Sequence, residues 1–325
     1  LPVVPITDLV IQDNDLAAST AGRSFWVLDD LSPIQQSRGH FEGIDVQLFT
    51  PKPYKRILSG PPFYLITEHA FGENPPVGIQ LDYYLTSIEE KDLKLEIIDE
   101  TGKVVRQYEG TDEEIVMPMQ GGRGNIPAHN TEKLPMKEGL NRFTWDFRTN
   151  GLVKVKDAFV LGADYRGHRV APGNYLARMT FGDHVSEAEI VIQDPPDIEV
   201  PKEVWVEQQR LMESIENDLN EMHDALNQTI KMKKRIESIS DQIVPGDNLD
   251  DLNDGCKELS EKIQEWQSGV IELRQKGFQD ALNWPAGMNA EFFLLRGNLD
   301  TYDPKVPDGY KERYGDLQSL WRSHK

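Results

Sequence analysis

Residues 6–28 read ITDLVIQDNDLAASTAGRSFWVL, and the interpretation of the whole chain depends on this stretch. It predicts three short strands, at 6–11, 16–20 and 24–28, which are separated by an Asp-Asn-Asp turn and an Ala-Gly-Arg connection. Three consecutive strands form a meander, but about thirty residues cannot bury both faces of a sheet by themselves. We therefore expect residues 1–31 to belong to a larger β-structure.

A second strand pattern occupies residues 60–195. Apolar residues alternate with polar ones, as in Phe143, Trp145 and Phe147, and turn signals separate the runs. Period-two alternation of this kind predicts a half-buried antiparallel sheet, and here an immunoglobulin-like β-sandwich. The three aromatic residues share one face of a strand, which favours a core position over a sugar-binding platform. We expect the Gly-rich stretch 121–134 to be a long surface loop.

The period of the apolar residues changes to three or four in residues 196–325, which predicts helices. Two long stripes are separated by a Val-Pro-Gly-Asp break, so we expect an antiparallel helical hairpin. Shorter helices are predicted at 288–299 and near the C-terminus, where the last one caps the hairpin. The stripes comprise Leu211, Ile215, Leu219, Met222, Leu226, Ile230, Ile236, Ile239 and Ile243, and then Leu252, Cys256, Leu259, Ile263, Trp266, Val270 and Leu273.

Composition excludes several classes of partner and site. The formal net charge of -20 argues against nucleic acid and against an anionic membrane surface, because both require clustered Lys and Arg. No apolar stretch approaches the roughly 20 residues that span a bilayer. Cys256 is the one cysteine, so an intrachain disulfide and a cysteine-based metal site are both excluded.

Few residues carry recognisable chemistry. Asp29 and Asp30 are carboxylates of the kind that glycoside hydrolysis needs, but neighbours on a strand point to opposite faces and cannot flank one bond. Arg23 lies in a predicted turn, where it satisfies carbonyl groups or contacts an anion. Tyr84 is predicted to be an exposed aromatic on the face opposite Tyr83. We predict no catalytic, cofactor-binding or metal-binding residues, and we keep Arg23 and Tyr84 as candidate ligand contacts.

An acidic run between the two long helices invites a calcium interpretation. The EF-hand loop requires oxygen ligands at positions 1, 3 and 5, Gly at 6 and Glu at 12. Counted from Asp251, Gly255 falls at position five and Lys262 at position twelve, so the pattern fails. Acidic residues that complement a helix dipole are a sufficient explanation.

The ordered phrases of the chain resemble a known family. Residues 14–30, NDLAASTAGRSFWVLDD, resemble the last blade of the sortilin-like propellers found in bacterial BNR-repeat (Asp-box) proteins that are often labelled glycosyl hydrolase. A connection at 32–59 follows, and its LFTP at 48–51 is similar to a family segment. GLNRFTWDFR at 139–148 and VAPGNY at 170–175 resemble family phrases in the same order, so that the resemblance covers nearly the whole chain.

The resemblance implies an α+β multidomain architecture. Residues 1–31 would be terminal strands of a partial β-propeller blade, 32–59 a linker, 60–195 an immunoglobulin- or fibronectin-like β-sandwich, and 196–325 an antiparallel helical hairpin or bundle. It also implies an extracytoplasmic location: periplasmic, outer-surface or secreted. The expected partners are the upstream propeller of the same protein and a glycan or protein ligand.

Three functions follow as alternatives. The first is a non-catalytic accessory and scaffolding region of a secreted BNR-repeat propeller protein, which mediates domain packing and contact with protein or glycan. The second is a part of a glycoside hydrolase that acts on polysaccharide, with its catalytic residues in the upstream propeller. The third is a helical module for dimerisation or partner binding, for which the regular stripe of the second long helix is the cue. The sequence leaves enzymatic activity of the parent protein open.

Overall fold

The chain is an α+β protein that divides into two compact units. The first unit comprises Leu1–Arg148 and Pro172–Asp197, and the second comprises Thr149–Ala171 and Ile198–Lys325. The computed structural model describes residues 3–38, 41, 43–57, 77–88, 91–113, 119–120, 126–127, 133–243 and 249–325.

The first unit is built from short strands. In chain order they are β1 (Ile6–Gln12), β2 (Asp15–Thr20), β3 (Phe25–Leu28), β4 (Val46–Leu48), β5 (Tyr54–Lys55), β6 (Ile79–Leu85), β7 (Leu93–Asp99), β8 (Val104–Thr111), β9 (Met119–Gln120), β10 (Ile126–Pro127), β11 (Lys133–Pro135), β12 (Gly139–Trp145), β13 (Gly173–Phe181) and β14 (His184–Gln193). A short helix, α1 (Ser32–Ser37), follows β3.

These strands form four sheets in the described residues. A meander has the order β1-β2-β3, and β9 pairs with β10. A six-stranded sheet has the order β11-β8-β7-β13-β14-β5, and a three-stranded sheet has the order β12-β6-β4. Most pairs are antiparallel, whereas β11 joins β8, and β5 joins β14, in parallel.

Aromatic residues fill the space between the six-stranded and three-stranded sheets. Tyr108 on β8 meets Phe143 on β12 edge to face with ring centroids 4.6 Å apart, and Trp145 on β12 lies 5.7 Å from Tyr175 on β13. Phe143, Trp145 and Phe147 are all buried, as the core interpretation predicts. Alternation along β12 places Phe143 and Trp145 on one face, and the two sheets share a single apolar layer. Phe147 was predicted on the same strand but follows its end with a φ of 63°, and it reaches the layer from the connection after β12.

The connections in this unit are more structured than the sequence indicates. The predicted linker 32–59 contains α1, β4 and β5, and Phe49 within it is buried. The prediction of a surface loop over residues 121–134 was wrong at the C-terminal end of that range, because Leu134 lies on β11 and is buried. Residues 121–125 and 128–132 of that loop lie outside the described residues.

The second unit is mainly helical. Its helices are α2 (Lys202–Ser240), α3 (Asp250–Val270), α4 (Met288–Leu299) and α5 (Asp308–His324), with a 3-10 turn at Phe278–Leu282. Helix α2 contains no Gly or Pro, which allows its unbroken length. Its residues Ile215, Leu219, Met222 and Leu226 are buried at the predicted helical spacing, against a core that includes Phe292 of α4 and Trp321 of α5.

The second stripe departs from its prediction. On α3, Ile263 and Val270 are buried, but Leu252 and Leu259 are exposed, and Leu273 lies beyond the end of the helix. A regular spacing defines one face of a helix, but the neighbour must extend far enough to cover that face. Here the packed part of the hairpin is the half nearest α4 and α5.

Residues 149–171 belong to the helical unit, although the sequence places them in the sandwich between β12 and β13. Three α2 side chains hold this extended segment. The Asn220 side chain accepts a hydrogen bond from the backbone N–H of Val153, His223 Nδ1 lies 2.7 Å from the Val153 carbonyl oxygen, and Asn227 bonds Lys154 and Lys156. The helical spacing of these residues forms a polar row, which a search for apolar periodicity does not detect.

Candidate interaction surface

The meander β1–β3, here called the terminal sheet, exposes apolar side chains on both of its faces. The register pairs Leu9 with Ala18 and Ala18 with Trp26, so that these three residues share a face. Ile11, Leu16 and Leu28 are aligned in the same way on that face. One side of the terminal sheet is therefore apolar across all three strands.

The opposite side of the terminal sheet is mixed. Val10, Ala17 and Val27 are aligned across the strands, with Phe25 and polar residues beside them. Every residue of β1 and β3 is exposed, including Phe25 at 79% and Ile11 at 62%. Contiguous exposed apolar surface of this kind marks an interaction site in a folded protein.

A polar network fixes the base of the terminal sheet. Asn14 Nδ2 donates to Asp30 Oδ1 at 3.0 Å and to Ser32 Oγ at 2.9 Å, and Lys52 Nζ lies 2.9 Å from Asp15 Oδ1. The backbone N–H of Asp30 and the Lys52 ammonium hold the pKa of Asp15 below its usual value. These bonds set the turn geometry and leave the faces of the sheet free to bind.

The carboxylate pair considered for hydrolysis has a structural role in this network. Asp30 adopts a positive φ of 60° and accepts bonds from Asn14 and from the backbone N–H of Ser32. Its neighbour Asp29 is exposed. Both residues follow the end of β3, so the strand position assumed for them from the sequence is not observed, and Asp30 is engaged in structural hydrogen bonds.

The two candidate ligand contacts lie on different elements. Arg23 is exposed in the connection between β2 and β3, and its carbonyl oxygen accepts a 2.9 Å hydrogen bond from Trp26 Nε1. Tyr84 lies on β6, is partly buried, and stacks on Phe41 with ring centroids 4.0 Å apart. Tyr84 is therefore less available than predicted, while Arg23 lies at the rim of the terminal sheet.

A buried ionic cluster in the second unit was missed by sequence reasoning. Glu216 Oε1 accepts a bond from Arg296 Nε at 2.7 Å and another from the backbone N–H of His168 at 2.9 Å, and Glu216 Oε2 lies 2.8 Å from His168 Nδ1. Arg296 also donates to the carbonyl groups of Asp164 and Arg166. The cluster ties the segment 149–171 to α2 and α4, so its groups serve the fold.

His223 is a second buried titratable group on α2. Burial lowers its pKa, because the charged imidazolium would lose its hydration. Nδ1 carries the proton and donates it in a hydrogen bond to the Val153 carbonyl oxygen. The unprotonated Nε2 accepts a hydrogen bond from Asn289 Nδ2, which lies 3.4 Å away. Both ring nitrogens are therefore used in packing the neutral imidazole.

Metal-binding clusters and membrane-spanning helices do not occur in the described residues. No group of three or more His, Cys, Asp or Glu side chains there could hold a metal ion. Of the acidic run considered for calcium, Asp250, Asp251 and Asp254 lie on α3, whereas Asp247 lies outside the described residues. None of the described helices is both long enough and apolar enough to cross a membrane.

The terminal sheet is therefore the candidate site with the strongest structural basis, and the features that define it are packing surface and strand edges. Comparison of the chain with protein-family models, with curated proteins and with solved structures found no match.

Proposed function

We propose that this chain is the non-catalytic scaffolding region of a secreted BNR-repeat propeller protein, and that its terminal sheet completes a blade of that propeller. The observation that carries the proposal is the exposure of apolar residues on both faces of β1–β3. A sheet with an apolar side and with exposed apolar residues such as Phe25 and Val27 on its mixed side is stabilised by a packed layer on each side.

A propeller supplies such layers, because its four-stranded blades pack face to face around a central channel. The terminal sheet has three strands, so a blade would need one more strand at an open edge. In this proposal the preceding part of the parent protein provides that strand and the two neighbouring blades. Arg23, at the rim of the sheet, would then contact the propeller or its ligand.

The other elements support the scaffolding role. The polar network of Asn14, Asp15, Asp30 and Lys52 joins the terminal sheet to the chain that leads into the two packed sheets. We assign those packed sheets to an immunoglobulin-like sandwich, on the basis of their antiparallel pairing and shared aromatic layer. The buried ionic side chains of the second unit are engaged in holding its own segments together.

Hydrogen exchange of the β1–β3 amides tests the proposal. The parent protein, with its preceding sequence, is compared with the present chain under the same conditions. We expect the edge amides of β1 or β3 to exchange much more slowly in the parent protein, because an added strand would bond them. The amides of β13, which has a neighbour on both sides, serve as the internal control. Equal exchange of the edge amides in both proteins would contradict the proposal.

Assays on polysaccharides give a second test. The present chain should release no reducing sugar from a panel of soluble polysaccharides, because its buried ionic side chains Glu216, His168 and Arg296 are engaged in structural contacts. Turnover by the purified chain that survives an independent preparation would overturn the non-catalytic assignment and favour the hydrolase alternative.

A further inference from the structure

The outer half of the α2–α3 hairpin has a polar interior. Ser240 Oγ lies 2.7 Å from Asn253 Oδ1, and Lys233 Nζ donates to Gln264 Oε1 at 2.8 Å. These contacts show which residues of the two antiparallel helices lie side by side. Ile236 and Cys256 are partly buried between them. The interior of this half therefore uses few of its apolar residues.

The remaining apolar residues of this half lie exposed on one side of the hairpin. On α2, Met232 precedes Ile236 by four residues and Ile239 follows it by three; on α3, Leu252 and Leu259 have the same offsets from Cys256. In an antiparallel helix pair, equal offsets from the shared seam place residues on the same side. We call Met232, Ile239, Leu252 and Leu259 the hairpin face, and its members are 42–50% exposed.

The hairpin face forms a continuous stripe. Because Ser240 lies beside Asn253, the four residues follow one another along the hairpin in the order Met232, Leu259, Ile239, Leu252. The stripe is about 14 Å long at the helical rise of about 1.5 Å per residue. Seven-residue spacing on both helices is the spacing that packs against other helices in a coiled coil or bundle.

Gly255 is a second, independent feature of the same side. It follows Leu252 by three residues and precedes Leu259 by four, so it lies between them on the hairpin face. A Cβ atom at this position would meet nothing within 4 Å, so the packing inside the chain does not require glycine there. Glycine weakens a helix interior, and a glycine in this position allows another helix to approach closely.

The flanks of the hairpin face carry unlike charges. Arg235 lies between Met232 and Ile239 on the α2 side and makes no ion pair with the described residues, whereas Asp251 and Glu258 flank the α3 side. No ion pair joins α2 to α3 in the part of the chain that the structure describes. Glu258 pairs within its own helix with Lys262, at 2.6 Å. Arg235 and Asp251 are thus the flanking charges that make no ion pair with the described residues, and a partner that brings an acidic group to one flank and a basic group to the other would complement them.

We propose that the hairpin face binds the same face of a second copy of this chain, with α2 of each copy against α3 of the other. A second copy provides both complementary flanks, since Arg235 of one copy lies at nearly the same level as Glu258 of the other. Gly255 of one copy then faces Ile239 of the other. Twofold symmetry makes such a self-complementary contact possible, and four helices would bury the stripe.

Sedimentation of the whole chain across a concentration series tests the proposal. The wild-type chain should form a dimer as its concentration rises, and the Leu252→Glu, Leu259→Glu double variant should remain a monomer with unchanged helical circular dichroism. Leu294→Glu is the matched control, because Leu294 is an exposed leucine on α4 away from this stripe, and it should dimerise like the wild type. A monomeric wild-type chain, or a double variant that still dimerises, would overturn the proposal.

A charge exchange tests the arrangement of the two copies. Arg235→Glu should weaken the dimer by roughly tenfold, and adding Glu258→Arg to it should recover most of that loss, because the pair is re-formed with opposite signs. Failure of the double exchange to recover association would overturn the arrangement of α2 against α3. Phe25→Ser on the terminal sheet should leave the dimer constant unchanged, which separates this contact from association through β1–β3.

Discussion

Strands β1 and β6 are both seven residues long and both are rich in apolar residues, yet their surroundings are opposite. In β6 the side chains of Ile79, Leu81, Tyr83 and Leu85 are buried, whereas every residue of β1 is exposed. Strand β6 lies between β12 and β4 and faces a second sheet, while β1 has one neighbour among the strands that the structure describes. The comparison teaches that an apolar strand pattern specifies which side chains are stabilised by burial. The layer that buries them must come from another segment of the chain or from another protein.

The same contrast divides the helical hairpin. Near α4 and α5 the apolar stripes are buried, and toward the outer end they are exposed. Both the terminal sheet and the hairpin face are thus apolar surfaces without a cover within the described chain. We propose different covers for them: the rest of a propeller for the sheet, and a second copy for the hairpin.

The largest effect is expected in the covered sheets. Trp145→Ala should lower the free energy of unfolding of the first unit by about 3–5 kcal/mol, because it leaves a cavity in the core and removes the bond from Nε1 to the Arg148 carbonyl oxygen. Denaturant unfolding followed by circular dichroism measures the loss. If Trp145→Ala lowered the free energy of unfolding as little as the substitution of an exposed aromatic residue does, the distinction between the buried and the exposed sheets would be wrong.

Removal of the buried charge of Glu216 should lower stability by a similar amount. Glu216→Gln leaves Arg296 without its carboxylate, and it should destabilise the second unit by about 3 kcal/mol, since an uncompensated buried charge is strongly unfavourable. Glu237→Gln, at an exposed position on the same helix, is the control and should change stability by less than about 0.5 kcal/mol. Equal effects of the two changes in chemical denaturation would show that the cluster does not hold the unit.

The covered imidazole predicts a pH dependence of moderate size. The pKa of His223 in the folded state lies below the ordinary value of 6.5, so below that pH the unfolded chain binds a proton that the folded chain does not. Stability should be constant above this value and should fall as the pH drops toward the folded-state pKa, by at most about 1.4 kcal/mol per pH unit.

His223→Gln should remove this part of the pH dependence while lowering stability at neutral pH. The measurement is the difference in unfolding free energy between neutral and mildly acidic pH for the two proteins. An unchanged difference in the variant would assign the pH dependence to other groups.

The smallest effect is expected on the terminal sheet. Phe25→Ala should change the unfolding free energy of the present chain by less than about 0.5 kcal/mol, because the side chain is 79% exposed. In the parent protein the same change should be clearly destabilising, as it is for a core aromatic, if neighbouring blades bury this ring. The same small effect in both proteins would show that no layer covers Phe25 in the parent protein, and it would contradict our proposal.

Much of the local structure could be predicted from the sequence. The strand pattern around Phe143 and Trp145, the three strands before Asp29, and the helix Met288–Leu299 all agree with the structure. The exposure of the terminal sheet agrees with the argument that three strands cannot bury two faces. By contrast, Tyr84 was predicted as an exposed aromatic, and only the fold brings Phe41 against it.

The sequence by itself determined the type and order of the main strands and helices and the apolar face of each, because these depend on residues a few positions apart. Only the tertiary structure decided that residues 149–171 belong with the helices, that Glu216 meets His168 and Arg296, and that Leu252 and Leu259 are exposed. Those outcomes depend on residues 48 to 80 positions apart in the case of the cluster, and on how far a neighbouring helix extends in the case of the hairpin. Periodicity records which side of an element is apolar, and it carries no information about which distant segment will cover that side.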